Sequence, residues 1–292
     1  MKNLFKIVFL IFFINPISIF AQEFDRAPLP KVKSIVEWIQ NPKTKKVEKG
    51  VTYHFLKNGK LSLFTDGEDA KNAELSGIYK YDNLKRIISK EELYGSNYFK
   101  SSFAYKKNYF VEEQSFKDSQ YKIFNYVDKK LNIIEKKVFI KNYDSDYQYQ
   151  LFERTMFTYK NGKLISEKHY NHWNVRNKNA TPDTKLTTYK YASKTGKVIE
   201  KKEFDYRGNI NSITQFDYDK NGLLIKETKD FLNGKIETTT LKYKNNKIWT
   251  EVFDEGNIKI SKIYKNGKLI RKRKKWNGGQ EEIIDYQYQF FK

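Results

Sequence analysis

Cysteine is absent from the chain, which removes disulfides, thiolate metal sites and thiol nucleophiles together. An exported protein without disulfides must rely on main-chain pairing and side-chain packing. Proline is scarce, five in 292 residues, and only Pro28, Pro30, Pro42 and Pro182 follow the first 21. After those residues no stretch has membrane-like hydropathy, so no transmembrane helix is expected. Gly-x-Ser-x-Gly is missing, and no carboxylate pair is singled out for acid–base work. No cofactor motif is present, and no residue set forms a catalytic signature. The expectation is therefore a protein that is not an enzyme.

Residues 1–21 have the order of a secretory leader. Lys2 and Lys6 precede an apolar stretch from Ile7, and Ile19-Phe20-Ala21 supplies the small-residue end. Cleavage after Ala21 leaves 22–292, read as one domain with no linker long enough to divide it. No cysteine follows the apolar run, so the chain is not expected to be a lipoprotein. Its expected location is the periplasm or the exterior. The formal net charge is +21, and Lys2 and Lys6 account for little of it. Such a surface attracts polyanions; a solvated, lysine-rich surface that blocks sheet aggregation is the plainer reading.

Aromatic residues, with 22 Tyr and 22 Phe, make up 16% of the chain. Together with threonine they favour strands, because flat and branched side chains pack well on a pleated surface. Asn-Gly recurs at Asn58, Asn161, Asn221, Asn233, Asn266 and Asn277, each between short aromatic and β-branched runs. A two-residue hairpin turn needs positive φ at both central positions, which Asn tolerates and Gly adopts freely. Landmark aromatics from Phe204 to Trp276 recur with a turn in every gap, the spacing of a short strand plus a tight turn. Alternation within strands is partial, with both faces mixed, which disfavours a sandwich and favours an elongated sheet over a compact barrel. The fold class expected is all-β: an elongated, twisted antiparallel sheet of repeated hairpins, single-layer or an open spiral. Val32 to Gln40 reads as a capping strand or a short helix. Thr65 to Ser76, Lys141 to Gln150 and Asn171 to Thr184 read as insertions where binding function could reside.

Phe216-Asp217-Tyr218-Asp219-Lys220-Asn221-Gly222-Leu223 resembles the YD repeat of Rhs proteins. Asp205-Tyr206-Arg207-Gly208-Asn209 is similar to a shortened copy, and the Asn-Gly-Lys-Leu units resemble MORN-like repeats of a bacterial family often labelled as antitoxins. The resemblance covers residues 50–280 loosely. It implies a hairpin spiral in an envelope or extracellular setting and carries no active site. Rhs proteins end in a toxin domain, for which this chain has no room.

Candidate sites are few. Arg271, Lys272, Arg273, Lys274 and Lys275, followed by Trp276, form the densest basic run and suggest a polyanion patch with a ring for stacking. Charge that blocks an edge strand is the competing reading. His169, His172 and Trp173 stand together, with His54 or Asp183 the only further ligands to suggest; no metal is expected there. Asp66-Gly67-Glu68-Asp69 and Asp144-Ser145-Asp146 fall short of a calcium loop. The function expected is a non-enzymatic exported scaffold that contacts extended ligands. Its partner would be an acidic polysaccharide or an envelope protein, and export argues against nucleic acid. The alternative is a small secreted hydrolase or an envelope carrier with a concave sheet site.

Overall fold

A computed structural model describes residues 31–66, 73–116, 119–142, 148–172 and 183–290. Twenty strands follow one another without a helix among the described residues. They begin with β1 (Val32–Gln40), β2 (Val47–Phe55), β3 (Leu61–Thr65), β4 (Leu75–Tyr81) and β5 (Ile87–Tyr94). Next come β6 (Asn97–Tyr105), β7 (Tyr109–Phe116), β8 (Ser119–Val127), β9 (Ile133–Asn142) and β10 (Gln150–Lys160). Then β11 (Lys163–Asn171), β12 (Asp183–Tyr191), β13 (Val198–Phe204), β14 (Ile210–Tyr218) and β15 (Leu224–Asp230). The last are β16 (Ile236–Lys244), β17 (Lys247–Asp254), β18 (Ile258–Lys265), β19 (Lys268–Trp276) and β20 (Glu281–Phe290).

Each strand pairs with the next in sequence, and β1 pairs with both β2 and β20. The expected open sheet or spiral is thus corrected to a closed antiparallel barrel of 20 strands. The hairpin order stands, and Val32–Gln40 is a strand rather than a helix. An even number of up-and-down strands makes the last run antiparallel to the first. At the seam the Ser34 hydroxyl donates to Gln289 Oε1 at 3.0 Å, and Trp38 Nε1 donates to Gln287 Oε1 at 3.1 Å. Closure removes the two free edges that an open sheet of this size would leave for aggregation. The mixed faces that excluded a sandwich need no second layer once the sheet closes on itself.

The strands divide into two compact units. The first takes β1 as far as Trp38, Lys49–Tyr98 and the chain from Tyr286; the second takes Ile39–Glu48 and Phe99–Asp285. In the first, Val32 and Ile35 are fully buried, and Phe64 packs between the rings of Tyr53, Tyr79 and Tyr94 at 6.3–6.4 Å. In the second, Tyr121, Val138 and Ile140 are buried with Phe116, Ile123 and Phe152 against them.

Two turn chemistries recur along the chain. Asn161-Gly162, Asn245-Asn246 and Asn266-Gly267 have positive φ at both residues, the two-residue turn that the sequence suggests. At Asn58-Gly59, Asn221-Gly222 and Asn233-Gly234 only the glycine is positive, and at Asn277-Gly278 the positive residue is Gly279. The longer turns are organised by aspartate. Asp219 Oδ1 accepts main-chain N–H bonds from Asn221 at 2.9 Å and Leu223 at 2.8 Å. Asp205 does the same for Arg207 and Asn209, and Asp128 for Lys130 and Asn132. The Asn132 side chain and main chain hold the Asp128 carboxyl below the usual carboxylate range.

A tyrosine near the end of a strand has its own task. Tyr218 donates to the Val198 carbonyl at 2.8 Å, Tyr191 to Leu164 at 2.7 Å and Tyr81 to Leu61 at 2.8 Å. Tyr159 and Tyr243 reach Ile133 and Leu224 in the same way. At Tyr218-Asp219 and Tyr81-Asp82 the pair is therefore a joint between neighbouring hairpins: the ring ties back one hairpin while the carboxylate folds the next turn. The open spiral implied by the Rhs and MORN resemblance is not what these joints build, because β20 returns to β1.

Candidate functional site

Antiparallel register sorts the second unit's residues onto two faces. Ser212 and Thr214 of β14 are almost wholly buried, whereas Gln215 and Asp217 beside them are exposed. The first pair marks an enclosed face and the second an open one. On the enclosed face, Lys201 lies opposite Thr214, and Thr214 opposite Lys229. Glu203 lies opposite Ser212. The Glu203 carboxylate gathers all three neighbours: Lys201 Nζ at 2.7 Å, Lys229 Nζ at 2.7 Å and the Ser212 hydroxyl at 2.6 Å.

The pattern continues on both sides of that cluster. Tyr189 donates to Glu167 Oε1 at 2.6 Å. Glu251 accepts from Lys262 at 3.3 Å and from Tyr264 at 2.9 Å. A ladder of carboxylates, each met by a lysine or a tyrosine, thus runs along the enclosed face from β11 to β18. Its groups are held in hydrogen bonds, so it offers a fixed polar lining and no activated nucleophile or base. The sequence signal is Lys201-x-Glu203, charges one strand repeat apart on the same face. Lys229 and Ser212 join it only through the register of β13 to β15.

The open face carries ions as well. Arg154 pairs with Glu135 at 2.6 Å, Lys122 with Glu113 at 3.0 Å, and Lys202 with Glu200 at 3.5 Å.

The structure splits the basic run from Arg271 to Trp276. Arg271, Arg273 and Lys275 point to the open face of β19, and Lys272, Lys274 and Trp276 to the enclosed one. Arg271 grips Asp285 through two bonds, at 2.6 and 3.0 Å, and Arg273 meets Glu281 at 3.1 Å. Lys272 is buried, and Lys274 lies 4.7 Å from the Trp276 ring centre. Three of the five cations, Arg271, Arg273 and Lys275, thus share the open face, two of them in ion pairs.

Of the suggested metal ligands, His169 Nδ1 is 3.1 Å from the Thr155 hydroxyl, and buried His172 Nε2 has no hydrogen-bond partner in the structure. Among the described residues, no three of His, Asp and Glu could hold a metal ion. Trp173, Gly67-Glu68-Asp69, Asp144-Ser145-Asp146 and the leader lie outside the described residues. Among the described residues no helix is long and apolar enough to cross a membrane, which says nothing of strands.

No protein-family model matches the chain, and no curated protein matches it. Among solved structures it is similar to a porin-like protein from Bacteroides uniformis ATCC 8492, at 10% identity and TM-score 0.36 over 90% of this chain and 99% of that one. A porin-like protein from Bacteroides vulgatus ATCC 8482 gives 10% identity and TM-score 0.39, over 88% and 98%. A DUF1329 family protein from Desulfovibrio piger ATCC 29098 gives 8% identity and TM-score 0.17, over 92% and 90%. Likenesses at TM-scores this low decide nothing about what this chain does.

The soluble repeat scaffold expected from the sequence is overturned by the pairing of β1 with β20. That reading rested on an elongated open sheet presenting a long face to extended ligands, and closure turns that sheet into a barrel wall. The hydrolase or carrier with a concave sheet site does not replace it, because each carboxylate of the ladder is tied to a cation or a hydroxyl. A closed barrel is compatible with export from the cytoplasm.

Proposed function

We propose that this chain is a barrel of the bacterial envelope that gives polar solutes a path along its enclosed face, a channel or transporter in class. The observation that carries this is the closed pairing of all twenty strands. Closed barrels and helices are the two structures whose main-chain polar groups are all satisfied inside a membrane. The ladder around Glu203 supports it, since fixed carboxylates and lysines line a route for hydrated solutes without trapping them.

The open face sets a condition. Near the middle of a bilayer each outward Lys or Arg would cost about 2–4 kcal/mol. Arg154, neutralised by Glu135, is the kind of cation a lipid-facing wall can hold. Stretches with cations such as Lys242, which stands opposite Thr250 of β17, belong in water or among headgroups.

Reconstitution of residues 22–292 into planar bilayers of neutral lipid tests the proposal. Stepwise conductance is expected, and Glu203→Gln should shift its preference toward anions. A flat baseline from protein recovered in the bilayer would overturn the reading.

A further inference from the structure

In an antiparallel sheet with sequential pairing, every turn that follows an even strand lies at the same end. For the second unit this places seven hairpin turns, from β6–β7 to β18–β19, in one row. Neighbouring turns of the row are two strand spacings apart, about 10 Å.

That row is lysine-rich at nearly every step. Exposed Lys106 and Lys107 form the first turn, and exposed Lys129 and Lys130 the second. Lys160 and Lys163 flank Asn161-Gly162, and exposed Lys194 and Lys220 sit in the next two turns. Exposed Lys244 and Lys247 flank Asn245-Asn246, and Lys265 precedes Asn266-Gly267. Asp128 and Asp219 are the acids among these turn residues, and each has an oxygen committed to its own main-chain N–H groups.

The opposite end differs. Its described turns in this unit are those after β1, β13, β15, β17 and β19, and the first of them carries exposed Lys43, Lys45 and Lys46. The later ones contain Arg207, which lies over the Tyr206 ring at 5.2 Å, and Lys235, paired with Glu237 at 2.8 Å. They also contain Asp205 and Glu255. Lysine thus recurs at all seven turns of the row, whereas at the opposite end it is concentrated in the single turn after β1, and Lys235 is paired.

We infer that the lysine-bearing end of the second unit docks on an anionic, phosphate-bearing lipid surface. Lysine is a compact point charge on a flexible stem, without the planar fork that selects one ligand geometry. A row of such charges at about 10 Å intervals suits headgroups that can diffuse to each of them. A linear soluble polymer would instead need a groove running from turn to turn, and Lys129 and Lys244 stand on separate hairpin tips. The inference does not depend on solute passage. It depends on the strand order of this unit and on the lysines themselves.

Sedimentation with vesicles tests it. Residues 22–292 should bind phosphatidylcholine vesicles doped with phosphatidylglycerol, bind pure phosphatidylcholine poorly, and dissociate as salt rises. Replacing Lys106, Lys107, Lys129, Lys130, Lys244 and Lys247 together by Gln should weaken binding at least about tenfold, with an unchanged circular dichroism spectrum. Arg207→Gln with Lys235→Gln, at the other end, should leave binding within about twofold. Equal binding to both vesicle types would overturn the inference. So would equal losses in the two variants, or binding to heparin with none to the doped vesicles. Conductance in neutral lipid should survive the six substitutions, so this inference and the passage proposal can fail separately.

Discussion

Gly77→Val is expected to destabilise the protein by about 3 kcal/mol, seen as a lower urea midpoint with an unchanged slope. Gly77 of β4 lies directly opposite Phe64 of β3. A Cβ built there would stand 2.1 Å from Phe64 Cε1 and 2.7 Å from Cζ. The ring cannot easily withdraw: it is 2% exposed and has Tyr53, Tyr79 and Tyr94 around it. Phe64 thus covers a glycine across the strand pair, the pairing that makes a glycine tolerable inside a sheet. Phe64→Ala alone should cost about 3–5 kcal/mol. Combining Gly77→Val with Phe64→Leu should recover at least half of the glycine variant's loss, because the space vacated by the ring accepts the new methyls. Full additivity of the two losses would show that ring and glycine do not share that space.

Ile35→Ala should cost about 2–5 kcal/mol, the range for a buried aliphatic side chain. Ile35 is 0% exposed in β1, the strand that pairs with β2 on one side and β20 on the other. The same truncation at Ile236, which is 53% exposed in β16, should stay within about 0.5 kcal/mol. Denaturation midpoints of the two variants side by side check this. A loss at Ile35 no greater than at Ile236 would mean that β1 is not buried at a seam.

The residues themselves announce part of this architecture. Asn161-Gly162 and Asn266-Gly267 are two-residue turns, as their local chemistry demands, and the aromatic landmarks from Phe204 to Trp276 do fall on successive strands, although Phe231 begins a turn. Closure is not legible because it depends on β1 meeting β20, about 250 residues apart (Trp38 and Gln287 differ by 249). Twist and stagger summed over the whole sheet decide that, and no local pattern encodes it. Mixed faces are unlike a sandwich, but a thin open ribbon and a closed wall both have them.

The candidate site is less legible still. Arg271 to Lys275 stands out as a run, and strand alternation already divides it between two faces, but Asp285 and Glu281 lie outside the run that they neutralise. The ladder around Glu203 is assembled from β13, β14 and β15, so its members are scattered in sequence and ordinary in composition. The lysine end is hidden for the same reason: Lys106 and Lys265 come to share one row only through strand parity.

Cross-linking β1 to β20 tests closure most directly, and the lack of cysteine makes introduced thiols unique. With Ser34→Cys and Gln289→Cys, a short bis-maleimide added to the folded protein should join the two strands within one chain. Digestion and mass spectrometry would then find the β1 and β20 peptides linked. In an open sheet of these strands the two ends would lie about 90 Å apart. Both thiols would then carry separate adducts with no intramolecular bridge, and that result would contradict the barrel.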